Sequence, residues 1–190
     1  MASFFGKLFG GGDPEPDPYN SVPVDQLVLA NLQPGWLVDF DGQSWQVLDR
    51  VSVEYAAGRA DEWTLQCPVA TVRLQHESRF GQDGYEMLVQ VPVESLGGDV
   101  RRAVVYDGDP PPDVLPDGQP LGLDPEKRGG HYRRAGGKGA QEGFIAWTYR
   151  DENGDPAARV EQLSDTEVRA YSVTPVAEYQ FTNVLPGTLS

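Results

Sequence analysis

Two hairpin signatures, one in each half of the chain, constrain the fold more than any other feature of the sequence. The first places Asp41-Gly42 between two alternating apolar runs, and the second does the same with Asn153-Gly154. These dipeptides accept the positive φ angles that a tight hairpin turn requires. Other strand-like runs, separated mostly by Gly-containing turns, occupy residues 51–55, 62–66, 69–75, 85–93, 168–173 and 179–185. The pattern predicts a mainly β fold made of antiparallel sheets, or of a partly open barrel or sandwich.

Glycine and proline divide the chain into five parts, because both interrupt regular structure. They are densest before residue 22 and between residues 108 and 142. The parts are a short amphipathic helix at 1–12, an acidic Pro-rich spacer at 13–21, a first β block at 22–107, a Pro/Gly-rich loop at 108–142 and a C-terminal β block at 143–190. We expect 22–190 to form one domain, with a short helix or turn at 24–32 and a further strand at 101–106.

The N-terminal segment combines an aromatic cluster with helical spacing. Phe4, Phe5, Leu8 and Phe9 fall at i, i+1, i+4 and i+5, so a helix would gather them on one face. A helix this short is marginal alone in water and should form only when that face is covered. We therefore predict that this face and the neighbouring Lys7 dock onto a membrane surface or a partner protein. The alternatives are that the segment covers its own sheet or is disordered.

The Pro/Gly-rich loop holds a basic cluster in an otherwise acidic protein. Its candidate anion- or partner-binding residues are Lys127, Arg128, His131, Arg133, Arg134 and Lys138. The glycines around them resemble a phosphate-binding loop, but Lys138 is followed by glycine, and the P-loop spacing is not met. A solvated cluster that docks onto the protein's own acidic face is the favoured interpretation.

The net charge of −14 excludes nucleic acid as a general partner, since phosphate binding needs a cationic face. A single cysteine, Cys67, excludes a disulfide framework and a Cys-rich zinc site, and we expect it to be a buried, inert thiol. The sequence has no run of roughly 20 apolar residues and no secretory signal. We expect a cytoplasmic location, peripheral at the inner membrane if the N-terminal helix docks there, and no cofactor or metal.

Three constellations of polar residues resemble catalytic or metal sites, and each has a simpler interpretation. Asp39 and Asp41 fit a hairpin turn better than an acid pair or cation site. Asp151–Asp155 resembles a calcium loop, but position twelve is Gln162 and the flanks are strands, which favours a β-turn. His76 and Glu77 are adjacent on a strand and point to opposite faces. The four tryptophans are expected to pack in the core, with a ligand groove as the alternative.

The order of these motifs resembles the bacterial domain-of-unknown-function family 4178. The resemblance rests on the Phe-Phe-x-x-Leu-Phe-Gly opening at 4–10, on Leu32–Phe40 leading through Trp45-Gln46-Val47 to Glu62–Leu65, and on Tyr149–Asp155 followed by Arg159–Gln162. It implies a β-rich fold with no established catalytic residue. It also implies a role in envelope maintenance, because relatives are encoded near membrane-stress and polyamine-related genes.

Together these features predict a non-enzymatic β-module that acts as an adaptor or accessory protein through its N-terminal aromatic helix. The alternative is a β-barrel that binds a small ligand or a divalent cation, with carboxylates or aromatic side chains in its mouth.

Overall fold

One antiparallel sheet of twelve strands forms the body of the protein, as seen in a computed structural model that describes residues 22–55, 58–79, 82–125, 128–134 and 142–189. The mainly β, antiparallel prediction is confirmed. In chain order the strands are β1 (Leu37–Phe40), β2 (Gln43–Tyr55), β3 (Gly58–Cys67), β4 (Ala70–Arg79), β5 (Gln82–Val91), β6 (Asp113–Val114), β7 (Leu121–Leu123), β8 (Arg128–Arg134), β9 (Glu142–Arg150), β10 (Pro156–Gln162), β11 (Val168–Val176) and β12 (Phe181–Leu185).

Eight of these strands close into a ring. The pairing runs from β2 through β3, β4, β5, β11, β10 and β9 in turn, and β8 then joins β9 back to β2. The remaining strands extend the sheet outside the ring, with β1 and β12 beyond β2, and β7 and β6 beyond β9. Strands from both predicted β blocks therefore belong to one sheet.

The two faces of the ring strands bury different kinds of side chain. Cross-strand partners share a face, and Arg73 on β4 reaches Glu161 on β10, two strands that do not pair with each other. The polar face of these strands therefore points into the ring. The apolar face points outward, where Trp63, Leu65 and Leu74 join a buried cluster with residues of β1, β12 and the 3₁₀ turn at Leu29–Asn31. A further 3₁₀ turn, Val24–Gln26, precedes it and contributes no buried residue.

The first predicted hairpin is confirmed down to its turn. Strands β1 and β2 pair from Phe40↔Gln43 to Leu37↔Gln46, and the two residues between them, Asp41 and Gly42, have φ of 49° and 69°. Positive φ at both positions is the type I′ conformation. Residues 44–48 and 51–55, predicted as separate strands, are one strand, β2, in which the register with β3 shifts between Val47 and Asp49.

Two predictions between residues 100 and 142 are wrong. Residues 101–106 are not a strand: Val100–Arg102 is a helical turn and Ala103–Asp107 continues it with π-helical hydrogen bonding. Helical backbone places Val100 and Val104 on one buried face, which a strand would not do. Residues 108–142 are not one long loop, because they include β6, β7, β8 and the first residue of β9.

The predicted N-terminal helix at 1–12 and the spacer at 13–21 lie outside the described residues. Among the residues that are described, no helix is long and apolar enough to cross a bilayer.

A crossing of two backbone segments holds the C-terminal residues against the start of the sheet. Gly35, at φ +94°, lies so close to the backbone of Thr188 and Leu189 that an added Cβ would approach it to 2.7 Å. From the other side, a Cβ on Gly187 would approach the carbonyl oxygen of Gly35 to 2.5 Å. Only glycine fits at both positions of this crossing.

We predict that Gly35→Ala destabilises the protein clearly more than Gly42→Ala. Both glycines have positive φ, where an L-residue costs about 1–2 kcal/mol. A Cβ on Gly42 meets nothing within 4 Å, whereas one on Gly35 collides with the 188–189 backbone. Urea unfolding of the two variants measures the difference, and equal losses would contradict the crossing.

Candidate functional site

The interior of the ring is organised around Arg73, which lies between two buried glutamates. Its Nη1 donates to both carboxylate oxygens of Glu62 on β3, at 3.1 Å each, and its Nη2 donates to Glu161 Oε2 on β10 at 2.8 Å. The glutamate side chains are 6% and 1% exposed. Arg73 therefore links strands on different sides of the ring through two charge-assisted contacts.

Three further side chains complete what we call the interior network: Glu62, Arg73, Gln75, Tyr132, Arg159 and Glu161. Arg159 Nη1 donates to Gln75 Oε1, and its Nε lies 3.3 Å from Glu161 Oε1. Tyr132 Oη accepts from Arg73 Nη1 at 2.6 Å and donates to Glu161. The formal charges of the four ionised members cancel.

Apolar groups flank the interior network on two sides. The ring of Tyr132 stacks on Phe144 with centroids 4.6 Å apart, within a small cluster that includes Val53 and Ala60. The guanidinium of Arg73 lies 4.0 Å from the ring centroid of Tyr171, which packs with Leu88 and Val173. Cation–π contact adds to the ion pairs in holding Arg73 in place.

Burial and mutual charge shift the titration of these groups in different directions. Burial opposes the charge of Arg73, but the two glutamates outweigh it and raise the pKa of the guanidinium. Burial raises the pKa of Glu62 against the attraction of Arg73, and burial together with the two carboxylates raises the pKa of Tyr132. The network is chemically a set of buried ion pairs, and each carboxylate that could act as an acid or base is paired with a guanidinium.

A cleft on the outside of the ring is the second candidate site. It has a volume of about 420 Å³ and lies along the helical segment that follows β5, with Thr166 of the β10–β11 connection also in its wall. Its lining includes Val93, Val100, Val105, Tyr106, Arg101 and Arg102. This volume falls in the range of small-molecule sites.

Of the docking residues predicted from the sequence, Phe4, Phe5, Lys7, Leu8 and Phe9 lie outside the described residues. So do Lys127 and Lys138 of the basic cluster. The backbone at Arg128, His131, Arg133 and Arg134 forms β8, which pairs with β2 and β9, so this part is a sheet strand and not a flexible loop. The structure does not describe these four side chains.

The simpler interpretations of the polar constellations agree with the structure. Asp39 accepts from Ser44 and Asn183 beside the first hairpin, and these hydrogen bonds lower its pKa. Asp151 accepts the amides of Asn153 and Asp155 within its own turn. Cys67 is buried, as are all four tryptophans. The described residues include no group of three or more His, Cys, Asp or Glu side chains that could hold a metal ion.

Sequence reasoning missed both the interior network and the cleft. The available signal for the network was the strict alternation in Val72-Arg73-Leu74-Gln75 and in Ala158-Arg159-Val160-Glu161, which gives each strand one charged face. No sequence pattern indicated the cleft, because its shape depends on the helical segment at 100–107, whose local sequence favours a strand.

Comparison with known proteins gives a family match. A family model described as Domain of unknown function (DUF4178) matches residues 33–178. That range contains every member of the interior network and the cleft residues, whereas residues 4–9 lie before it. No curated protein and no solved structure matches the chain.

We predict that Arg73→Met lowers the free energy of unfolding by about 3–5 kcal/mol at pH 7, because it leaves two buried carboxylates without their main partner. With Arg73 gone, burial and the repulsion from Glu161 raise the pKa of Glu62 further, opposed by the attraction of Arg159. A raised carboxyl pKa stabilises the folded state at low pH, and this contribution is lost as the pH rises through the folded-state value. The variant should therefore recover stability relative to the parent protein as the pH falls from 7 to 5.

Arg102→Met is the matched control for this prediction, since it removes an exposed ion pair with Asp99. It should cost at most about 1 kcal/mol, with no such recovery at low pH. Chemical denaturation of the three proteins across this pH range makes the comparison. A loss in Arg73→Met no larger than in Arg102→Met would show that the interior network is not a support of the fold.

Proposed function

The chain belongs to the DUF4178 family, and we propose that it is a non-enzymatic binding module that docks onto a groove of a partner protein through Phe4, Phe5, Leu8 and Phe9. The ring is the rigid body of the module, and the N-terminal segment is its docking element. The observation that carries the proposal is the spacing of these four side chains at i, i+1, i+4 and i+5, which would place them on one face of a short helix.

The start of the described chain supports this division. Val22 and Leu27 pack against the buried cluster that contains Leu29, Leu32 and Trp36. The chain is thus fastened to the body directly after the acidic spacer. Four large apolar side chains on one face of a short helix would need a surface to cover them, and an amphipathic helix in a partner's groove is a recurrent solution.

The state of the buried ionisable groups supports a non-enzymatic role. General acid–base catalysis needs a group that can reach a substrate and exchange a proton near the working pH. In the interior network, Glu62 and Glu161 are bound to Arg73 and almost inaccessible to solvent. Tyr132 is occupied by the same partners.

Charge favours a protein partner over a membrane surface. The protein carries −14 overall, and the spacer that joins the aromatic segment to the body contains Asp13, Glu15 and Asp17. Anionic lipid would repel this spacer, and the segment offers only Lys7 in compensation. A groove with a cationic rim would attract it. Envelope maintenance, implied by the family resemblance, stays a prediction about where such a partner acts.

The alternative of a ligand or divalent cation held inside the ring has weaker support. The interior network and its two flanking clusters occupy the middle of the ring. The described residues also include no cluster of three or more His, Cys, Asp or Glu side chains that could hold a metal ion.

We expect the Phe4→Ser/Phe5→Ser/Leu8→Ser/Phe9→Ser variant to lose a partner that the full chain retains, because the apolar face that fills the groove is gone. Immobilised full chain and variant would be compared for retained proteins by quantitative mass spectrometry. The partner so found must then bind purified full chain, and a synthetic peptide of residues 1–12 must compete for it. The variant's unfolding midpoint should match that of the parent protein.

Lys7→Ser is the matched control in the same segment, since it leaves the aromatic face intact and should keep the partner. Equal retention by the quadruple variant, or failure of the peptide to compete, contradicts the proposal. Retention on liposomes that depends on the four apolar residues would also contradict it, in favour of a membrane surface.

A further inference from the structure

We propose that the cleft on the 93–106 segment binds a small amphiphilic anion, an apolar chain or ring that carries a carboxylate. This inference goes beyond the proposed function and does not depend on it, because the cleft belongs to the body and not to residues 4–9. It rests on the shape of the cleft, on the chemistry of its floor and on the unused hydrogen-bond donors at its rim.

The floor of the cleft is apolar. Val93 and Val100 are buried at 4% and 2% exposure, and Val105 is half-buried against the same outer core cluster. The ring of Tyr106, by contrast, is 79% exposed and stands in the cleft wall. A ligand in the cleft would remove from water the exposed surface of the Tyr106 ring and what remains exposed of Val105.

The rim carries two arginines whose hydrogen-bonding capacity is largely unused by the protein. Arg101 donates one hydrogen bond, from Nε to Glu94 Oε1 at 3.2 Å, and neither of its terminal amino groups has a partner among the residues that the structure describes. The contact of Arg102 is a 3.7 Å ion pair with Asp99, beyond hydrogen-bonding distance. The two side chains are 48% and 73% exposed, so a ligand can reach them.

The acids at the rim do not compete strongly for these donors. The carboxylate of Glu94 accepts hydrogen bonds from its own backbone amide and from Arg101, and these two contacts lower its pKa. Asp99 holds Arg102 only by the long ion pair. A guanidinium binds a carboxylate best through two parallel N–H donors, which Arg101 and Arg102 can both present. The terminal amino groups of both arginines therefore remain available as hydrogen-bond donors, and they favour an anionic ligand.

The backbone fixes the shape of the cleft before a ligand arrives. Gly97 and Gly98, at φ of 74° and 66°, turn the chain sharply between Leu96 and the helical segment. The π-helical turn at Ala103–Asp107 then carries Tyr106 outward while Val104 stays fully buried. Such turns are rare and occur often at functional sites.

The test is a titration of the ¹⁵N-labelled full chain with octanoate, followed by amide chemical shifts. We expect saturable shifts at Val100, Arg101 and Tyr106. Octylamine, with the same chain and the opposite charge, and acetate, with the head group alone, should not produce them. The Arg101→Gln/Arg102→Gln variant should weaken octanoate binding at least about tenfold, since it removes hydrogen bonds to a charged group.

Tyr106→Ala should also weaken binding, and it should leave the fold intact because the side chain is exposed. Arg59→Gln is the matched control, an arginine of similar exposure that lies on β3 outside the cleft. It should bind octanoate as the parent protein does. The absence of saturable shifts, equal binding of octylamine, or equal loss in Arg59→Gln overturns the proposal.

Discussion

The ion pairs of Arg73 with Glu62 and Glu161 are the interaction on which the rest of the structure depends. They cross the interior of the ring and tie β4 to β10, two strands that have no backbone hydrogen bonds to each other. Three consequences follow from burying charge there. The charges must cancel, and the oppositely charged groups must lie within hydrogen-bonding distance. Removal of one member leaves the charge of another unpaired in a low-dielectric interior. The interior is consequently a structural element of the ring.

The outward direction of the apolar face explains why the ring needs its covering segments. Strand β1, strand β12 and the turns at 24–31 cover one side, and the helical segment after β5 with β6 and β7 covers another. Without them, Trp63 and Trp147 would face water. A covering segment must pack apolar residues inward and can still present polar ones outward. The cleft is a product of this arrangement, because Val100 belongs to the cover and Arg101 beside it to the surface.

The first hairpin could be predicted because its signal is local: Asp41-Gly42 selects its turn whatever surrounds it. At the second dipeptide only Gly154 has a positive φ, although β9 and β10 pair as predicted. The interior network could not, since the alternation of Val72-Arg73-Leu74-Gln75 shows that one face is polar but not that this face looks into a closed ring. Residues 101–106 were predicted wrongly because Val104 and Val105 favour a strand, whereas packing of Val100 and Val104 on one face favours a helix. The loop prediction at 108–142 failed for a similar reason, since β8 has few bulky apolar residues and is a strand because β2 and β9 flank it. Nothing in the sequence places Tyr106 near Arg101 at a cleft, because that placement follows from the helical turn.

The interior network also bears on how the ring assembles. Strands β2–β5 form one local meander, and strands β8–β11 form a second, with a longer connection between β8 and β9. The ring closes where these two halves meet. Glu62 and Arg73 neutralise each other within the first half, and Arg159 and Glu161 do so within the second. The contacts of Arg73 with Glu161 and of Arg159 with Gln75 join residues 88 and 84 positions apart, and they form only when the halves come together in register. A misaligned closure would leave a charge unpaired in the interior, so the network favours the native register of the ring over misaligned pairings.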